Sequence, residues 1–115
     1  MRIRRLIQDK LRQEVFARVD LILSPATPGP ASSIDEALDR RPTPGEKVES
    51  RGNTDLGAAG NLAGLPAISL PCGFSTTNLP VALQLVGRPF DELTLITLGR
   101  EYQKQTDWHR RRPPV

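Results

Sequence analysis

Aromatic residues are scarce in this chain: three Phe, one Tyr and one Trp make up 4% of 115 residues. A core must therefore come from aliphatic side chains, and a base-stacking platform for single-stranded nucleic acid has no aromatic series to draw on. Cysteine and histidine occur once each, as Cys72 and His109. A lone cysteine excludes an internal disulfide, so an oxidising compartment is not implied and a cytoplasmic location is expected. One His and one Cys do not make a metal-ligand set, and neither a Walker loop nor a GxGxxG stretch is present, so no metal and no cofactor are expected. Nowhere do about 18 apolar residues run together, and the opening MRIRRLIQDKLRQEVF lacks a continuous apolar stretch. Export and membrane spanning are both unsupported.

What is present bounds the architecture. A chain of 115 residues with 37% apolar content and eleven prolines supports one domain, 1–115, with one modest core. Chains of this size bury a smaller share of their surface than full-size enzymes do, so a partner is expected to complete it. The net charge is +3, and the basic residues gather at the ends: Arg2, Arg4, Arg5, Lys10, Arg12 and Arg18 against Asp9 and Glu14, then Arg110, Arg111 and Arg112. Such clusters permit phosphate contact, but solvated helix and tail residues are the preferred reading.

In residues 3–19, Ile3, Leu6, Ile7, Leu11, Val15 and Val19 recur at steps of three and four, which predicts an amphipathic helix. The run Val19 to Leu23 predicts a short buried strand that ends at Pro25, Pro28 and Pro30. Residues 24–54 read mostly as loop, with one helix-compatible patch from Ser33 to Arg40. A short helix is expected over Asp55 to Leu62, with Gly64 as a left-handed terminator. Ala67 to Leu70 and Val81 to Val86 are almost entirely apolar, as in strands of an α/β sheet covered on both faces. Three strands and two or three helices cannot cover both faces, so apolar surface is expected to remain exposed. A last helix opens at Asp91, an N-cap residue, and runs through Leu93, Leu95, Ile96, Leu98 and Tyr102, with an irregular tail after Asp107.

Candidate nucleophiles are few. A catalytic Cys72 would need a base, and His109 lies far along in the basic tail, so a small half-buried residue at a strand end is the preferred reading. Ser32 and Ser33 with Lys47 have the residue types for acyl transfer but no flanking glycines to shape an oxyanion hole, and they read better as a helix cap. What remains is a set of polar or small residues at the ends of, or within, apolar elements: Asp55, Asn61, Cys72, Gly73 and Gln84. In an α/β sheet such residues can line a substrate pocket, and Gln84 inside VALQLVG stands out because a buried amide requires hydrogen-bond partners.

Three segments, DLILSPATPGPA at 20–31, NLAGLPAISLPCGF at 61–74 and LPVALQLVGRPFDELTL at 79–95, in that order and spacing, resemble the C-terminal part of the amidase signature family. That family includes bacterial amidases and the A subunit of tRNA-dependent amidotransferases. The resemblance covers essentially the whole chain. It implies a partial amidase-signature α/β fold: about three core strands of a mixed sheet, flanking N- and C-terminal helices and a long Pro-rich loop. It also implies amide hydrolysis or transfer through a Lys, cis-Ser, Ser triad. In that scheme one serine attacks the amide carbonyl, the second serine and the lysine relay its proton, and an acyl-enzyme is released to water or another acceptor. Both serines and the lysine belong to an earlier part of the family's sequence, and Lys10, Lys47 and Lys104 do not sit in a matching context. An Asp shortly before the NLAGLP-like motif is associated in the amidotransferase members with holding the substrate amino group, and Asp55 lies near that position.

The expectation is thus the C-terminal portion of an amidase, from a truncated or split gene or a shortened chain, with no catalytic residue of its own and inactive alone. Its amide substrate would bind only in a complete enzyme that includes the missing N-terminal amidase portion. Two other readings stand beside it. One is a small assembly module that docks on a partner protein through an exposed sheet. The other is a basic piece that contacts tRNA through Arg2, Arg4, Arg5 and Arg110 to Arg112, with steep salt dependence.

Overall fold

The computed structural model describes residues 2–38 and 60–112. Helix α1 spans Arg2–Lys10 and passes directly into a π-helical turn, Leu11–Val15. The Phe16 amide then donates to the Leu11 carbonyl at 2.9 Å, five residues back. This is where the single continuous helix expected over residues 3–19 departs from the structure. The wider turn brings Phe16, which lies outside the predicted apolar stripe, to 5% exposure, whereas Ile3 and Leu6 of that stripe remain 69% and 67% exposed. Of the face that three-and-four spacing marks as apolar, only Ile7, Leu11 and Val15 are half-buried.

Three strands follow: β1, Leu21–Pro25; β2, Ala67–Phe74; and β3, Pro80–Gly87. A five-residue hairpin joins β2 to β3, with the Ser75 amide donating to Leu79 O at 2.8 Å, the Asn78 amide to Ser75 O at 2.9 Å, and Asn78 in the left-handed region at φ 59°. So short a link forces the pair to be antiparallel. β1 lies antiparallel on the other edge of β3, giving the order β1-β3-β2. The expected three core strands are present, and within them the pairing is antiparallel throughout. The parallel pairs of a mixed sheet are not expressed among the described residues. β1 is an edge strand with Leu23 62% exposed, so its apolar run does not make it the buried strand expected.

Helix α2, Ile34–Leu38, begins directly after Ser32-Ser33, where the sequence reads a cap. The rest of the expected patch to Arg40, the loop residues 41–54, Lys47 and the start of the helix expected at Asp55 lie outside the described residues. Residues 60–63 are helical, and Gly64 at φ +70° ends the turn as expected of a left-handed terminator. The Gly64 amide donates to Asn61 O at 3.2 Å and the Leu65 amide to Gly60 O at 3.0 Å. Gln8 of α1 closes the same helix end by donating from Nε2 to the Ala63 carbonyl at 2.6 Å.

Helix α3, Glu92–Gln105, lies across one face of the sheet. Asp91 stands at its N-cap and accepts from Thr94 Oγ1 at 2.7 Å. Leu95 fits against Leu70 and Leu85, with Leu21, Ile68, Leu83 and Tyr102 around them. Gly99 brings the helix close to Leu70 and Ile68. The tail, expected to be irregular, instead makes a 3-10 turn, Trp108–Arg110. It is held because Trp108 packs on Phe74 at the end of β2, ring centroids 6.1 Å apart, and the Arg111 guanidinium covers both rings at 5.3 and 4.9 Å.

The result is a flat two-layer body of 46 × 43 × 19 Å with a radius of gyration of 16.9 Å. A compact domain of this length would have a radius near about 13 Å. Among the described residues six hydrophobics are buried and twelve large ones are exposed, so the expected surplus of apolar surface is present. No helix among the described residues is long and apolar enough to cross a membrane.

Candidate functional site

The strand register sorts the polar residues onto one side of the sheet. Side chains alternate along β3, so Val81, Leu83 and Leu85 point toward α3 while Ala82, Gln84 and Val86 point away. Gln84 sits at the middle of this central strand, and its cross-strand neighbours are Ser24 on β1 and Ser69 on β2. The three form a polar row across a face otherwise made of Ile22, Ala67, Pro71, Ala82 and Val86. Directly opposed strand residues have Cβ atoms about 5 Å apart, so the row is continuous. Gln84 Oε1 is buried within it and has no hydrogen-bond partner among the described residues. A buried carbonyl oxygen in that condition costs about 1–3 kcal/mol.

Farther along the same strand pair lies a bulge. Pro71 opposes Ala82 and Gly73 opposes Val81, so Cys72 is the extra residue. Pro71 has no amide hydrogen for the ladder, and Gly73 at φ +153° takes a conformation that a side chain would resist. The two residues that flank Cys72 therefore place the bulge here. The Cys72 thiol donates weakly to the Val81 carbonyl at 3.7 Å. Its partner is thus main chain and not an imidazole, although the tail that carries His109 does fold back onto β2 at Phe74.

Of the five residues expected to line a pocket, Cys72, Gly73 and Gln84 lie together on the β2–β3 pair. Asn61 sits on the helical turn before β2 with its side chain exposed, and its carbonyl is engaged in ending that turn. Asp55 lies outside the described residues. A surface concavity of about 410 Å³ lies at the C-terminal turn, where Thr106, Asp107, Trp108 and Arg110 surround it, and none of the five lines it. Ser24 and Ser69 were not singled out from the sequence. The signal that could have found them is the one that marks Gln84: each is the lone polar residue of an aliphatic strand, in LILSP and AISL.

At the far end of β3 the sheet is tied to the N-terminal segment. Arg88 Nη2 donates to the Phe16 carbonyl at 3.1 Å, to the Val19 carbonyl at 3.2 Å and to Asp20 Oδ1 at 2.9 Å. The Gly87 amide donates to Pro66 O at 3.0 Å. Both the π turn and the segment that enters β2 converge there, and Val86 is accordingly 2% exposed. The face that carries the polar row is thus covered over Val86, while Ala67, its partner on β2, and Ser69 stay exposed.

Comparison with known proteins places these features. The profile of the family described as Amidase matches residues 1–96. The A subunit of the glutamyl-tRNA(Gln) amidotransferase of Thiobacillus denitrificans is 43% identical over 112 residues, which are 97% of this chain and 22% of that protein. Its counterpart in Thermodesulfovibrio yellowstonii is 40% identical over 111 residues, 96% of this chain and 22% of that protein. Among solved structures, the counterpart from Thermotoga maritima aligns at 41% identity and a TM-score of 0.57, covering 78% of this chain and 18% of that one. A 6-aminohexanoate cyclic dimer hydrolase solved with its substrate aligns over 96% of this chain and 24% of its own, at 25% identity and a TM-score of 0.73. The chain therefore spans about a fifth of the length of the curated relatives it matches.

Proposed function

The chain belongs to the amidase family, and from that premise we propose that it is the C-terminal part of an amidase, a piece that supplies one wall of the amide site and no catalytic group. The observation that carries this reading is coverage: nearly the whole chain matches proteins of which it spans about a fifth. In the complete enzyme the Lys, cis-Ser, Ser triad comes from the remaining portion. The nucleophilic serine attacks the amide carbonyl, the second serine and lysine relay the proton, and the acyl-enzyme passes to water or another acceptor. Cys72, Gly73, Asn61 and Gln84 take the role of wall residues, and Asp55 that of a contact to the substrate amino group. Cys72 is a neighbour of the site and not its nucleophile, in keeping with a thiol engaged by a backbone carbonyl.

The test is an assay of the purified 115-residue chain on glutamine and simple primary amides, with ammonia release as the readout. No turnover above the enzyme-free rate is expected. Measurable hydrolysis that disappears with a Cys72→Ala or Ser69→Ala change would place the nucleophile inside this chain and overturn the reading.

A further inference from the structure

The C-terminal turn returns to the sheet beside the bulge that carries Cys72 and Gly73. We infer that this turn is a clamp, in which Trp108 and Arg111 are positioning residues that act through Phe74 to hold the bulge in one backbone arrangement. The inference rests on the proposed function only in taking the bulge as part of the amide-site wall. The clamp itself is a property of this chain's own residues.

Three observations carry it. The bulge is weakly determined by its own residues. Cys72 is left out of the register, and Gly73, at φ +153°, is the residue type that accepts either sign of φ. A Cβ at Gly73 would meet Val81 Cγ2 at 3.8 Å, an ordinary contact, so crowding does not fix the backbone either. The Cys72 thiol reaches the Val81 carbonyl at 3.7 Å, and a thiol is a weak donor. Phe74, in contrast, follows Gly73 directly and is held from outside the strand. Its half-buried ring lies 6.1 Å from that of Trp108, and the Arg111 guanidinium stands 5.3 Å from the first ring and 4.9 Å from the second. Finally, the turn that brings the clamp is ordered by its own bonds. Thr106 Oγ1 donates to the Tyr102 carbonyl at 3.1 Å and the Arg110 amide to the Asp107 carbonyl at 2.9 Å, while Tyr102 packs on the Leu70–Leu85–Leu95 core.

Through that chain of contacts the bulge takes its position from the packed core and not from the strand ladder alone. Such a reference matters for a site wall, because small displacements of positioning groups weaken the alignment that catalysis requires. The stack also distinguishes Arg111 from the rest of the basic tail. Its planar guanidinium can lie against two aromatic rings, whereas among the described residues neither Arg110 nor Arg112 stacks on a ring. One arginine of the run therefore has a role that depends on shape, and its neighbours supply charge alone.

The test uses the purified 115-residue chain and two readouts of the bulge: the rate at which neutral iodoacetamide alkylates Cys72, and deuterium exchange of the backbone amides around Gly73. Trp108→Leu removes the ring contact and is expected to speed both by about tenfold while circular dichroism shows the sheet retained. Trp108→Phe keeps a ring and is expected to stay within about twofold of wild type. Arg111→Gln is expected to speed both by roughly threefold, and Arg112→Gln, which loses the same charge without a stack, to leave both unchanged. Should Trp108→Leu unfold the chain, the two arginine variants decide. Wild-type rates in Trp108→Leu and Arg111→Gln would overturn the clamp and leave the proposed function standing. Faster alkylation with unchanged exchange would mean that the turn only shields the thiol, and equal effects of Arg111→Gln and Arg112→Gln would mean that charge acts and stacking does not. Either result overturns the inference. A response to Trp108→Leu alone would remove Arg111 from the clamp. Amide hydrolysis by the wild-type chain would overturn the proposed function and leave the clamp untouched.

Discussion

Leu85 and Gln84 are adjacent on the same strand and sit in opposite environments. Leu85 is 4% exposed against Leu70 and Leu95, under a helix whose Gly99 permits close approach. Gln84 faces the other way, between two serines, with an oxygen that no described residue satisfies. One face is thus packed as a protein interior, and on the other the described residues leave only Val86 buried. A self-sufficient small domain would show the same chemistry on both faces or polar residues throughout the uncovered one. Here the face away from α3 mixes half-buried aliphatic residues with a single polar row, which is neither a finished interior nor an ordinary solvated face.

The strongest way to break that contrast is to truncate on each side. Leu95→Ala removes a side chain 2% exposed at the centre of the covered face and is expected to cost about 2–5 kcal/mol, enough to unfold a chain with so small a core. Ile22→Ala, half-buried on the face away from α3, is expected to cost only roughly 1 kcal/mol. Urea titration followed through Trp108, which reports on its contact with Phe74, measures both. Equal losses would mean that the face away from α3 is already packed, and the contrast between faces would be wrong.

How far the sequence revealed this contrast follows from the range of each signal. The three strands, Gly64 as terminator and the helix after Asp91 were all legible, because continuous apolar runs, period-3.6 patterns and breakers act over a few residues. Gln84 was legible as an anomaly because a polar residue interrupts its apolar run. Its alignment with Ser24 and Ser69 was not, since register is a relation between separate strands, distant in sequence for β1 and β3, and emerges only on pairing. The inward turn of Phe16 was hidden for a similar reason. A π turn shifts the helical phase by one residue, and three-and-four spacing assumes that the phase is kept. The 3-10 turn at Trp108 depends on a distant Phe74 and on Arg111 stacking, which local polarity in WHRRRPPV does not disclose.

A smaller effect sharpens the comparison at the Val86 end of the face away from α3. Arg88 joins β3 to two carbonyls of the N-terminal segment and to Asp20, whose side chain is 81% exposed. The ion pair is therefore screened and worth little, while the bond to the Phe16 carbonyl satisfies a part-buried group. Arg88→Ala is expected to lower stability by about 1–2 kcal/mol, and Asp20→Ala by less than about 0.5 kcal/mol, in thermal unfolding. If Asp20→Ala matched Arg88→Ala, the closure of this end would depend on charge and not on main-chain bonding.

The finest probe lies in the covered face itself, at its two glycines. A Cβ added at Gly87 would meet the Leu95 side chain at 3.2–3.4 Å, and Leu95 is buried, so it has little room to yield. A Cβ at Gly99 would lie 3.5–3.6 Å from Leu70 and Ile68, which is ordinary contact, and would replace the poorest non-proline helix former in mid-helix. Gly99→Ala is therefore expected to stabilise the chain by about 0.5–1 kcal/mol and Gly87→Ala to destabilise it by about the same amount. The opposite signs test whether α3 is seated tightly at its N-terminal turn and with slack one turn later. If both changes stabilise, α3 sits looser on β3 than the contacts at Gly87 imply, and the covered face loses part of its claim to be the finished half of the molecule.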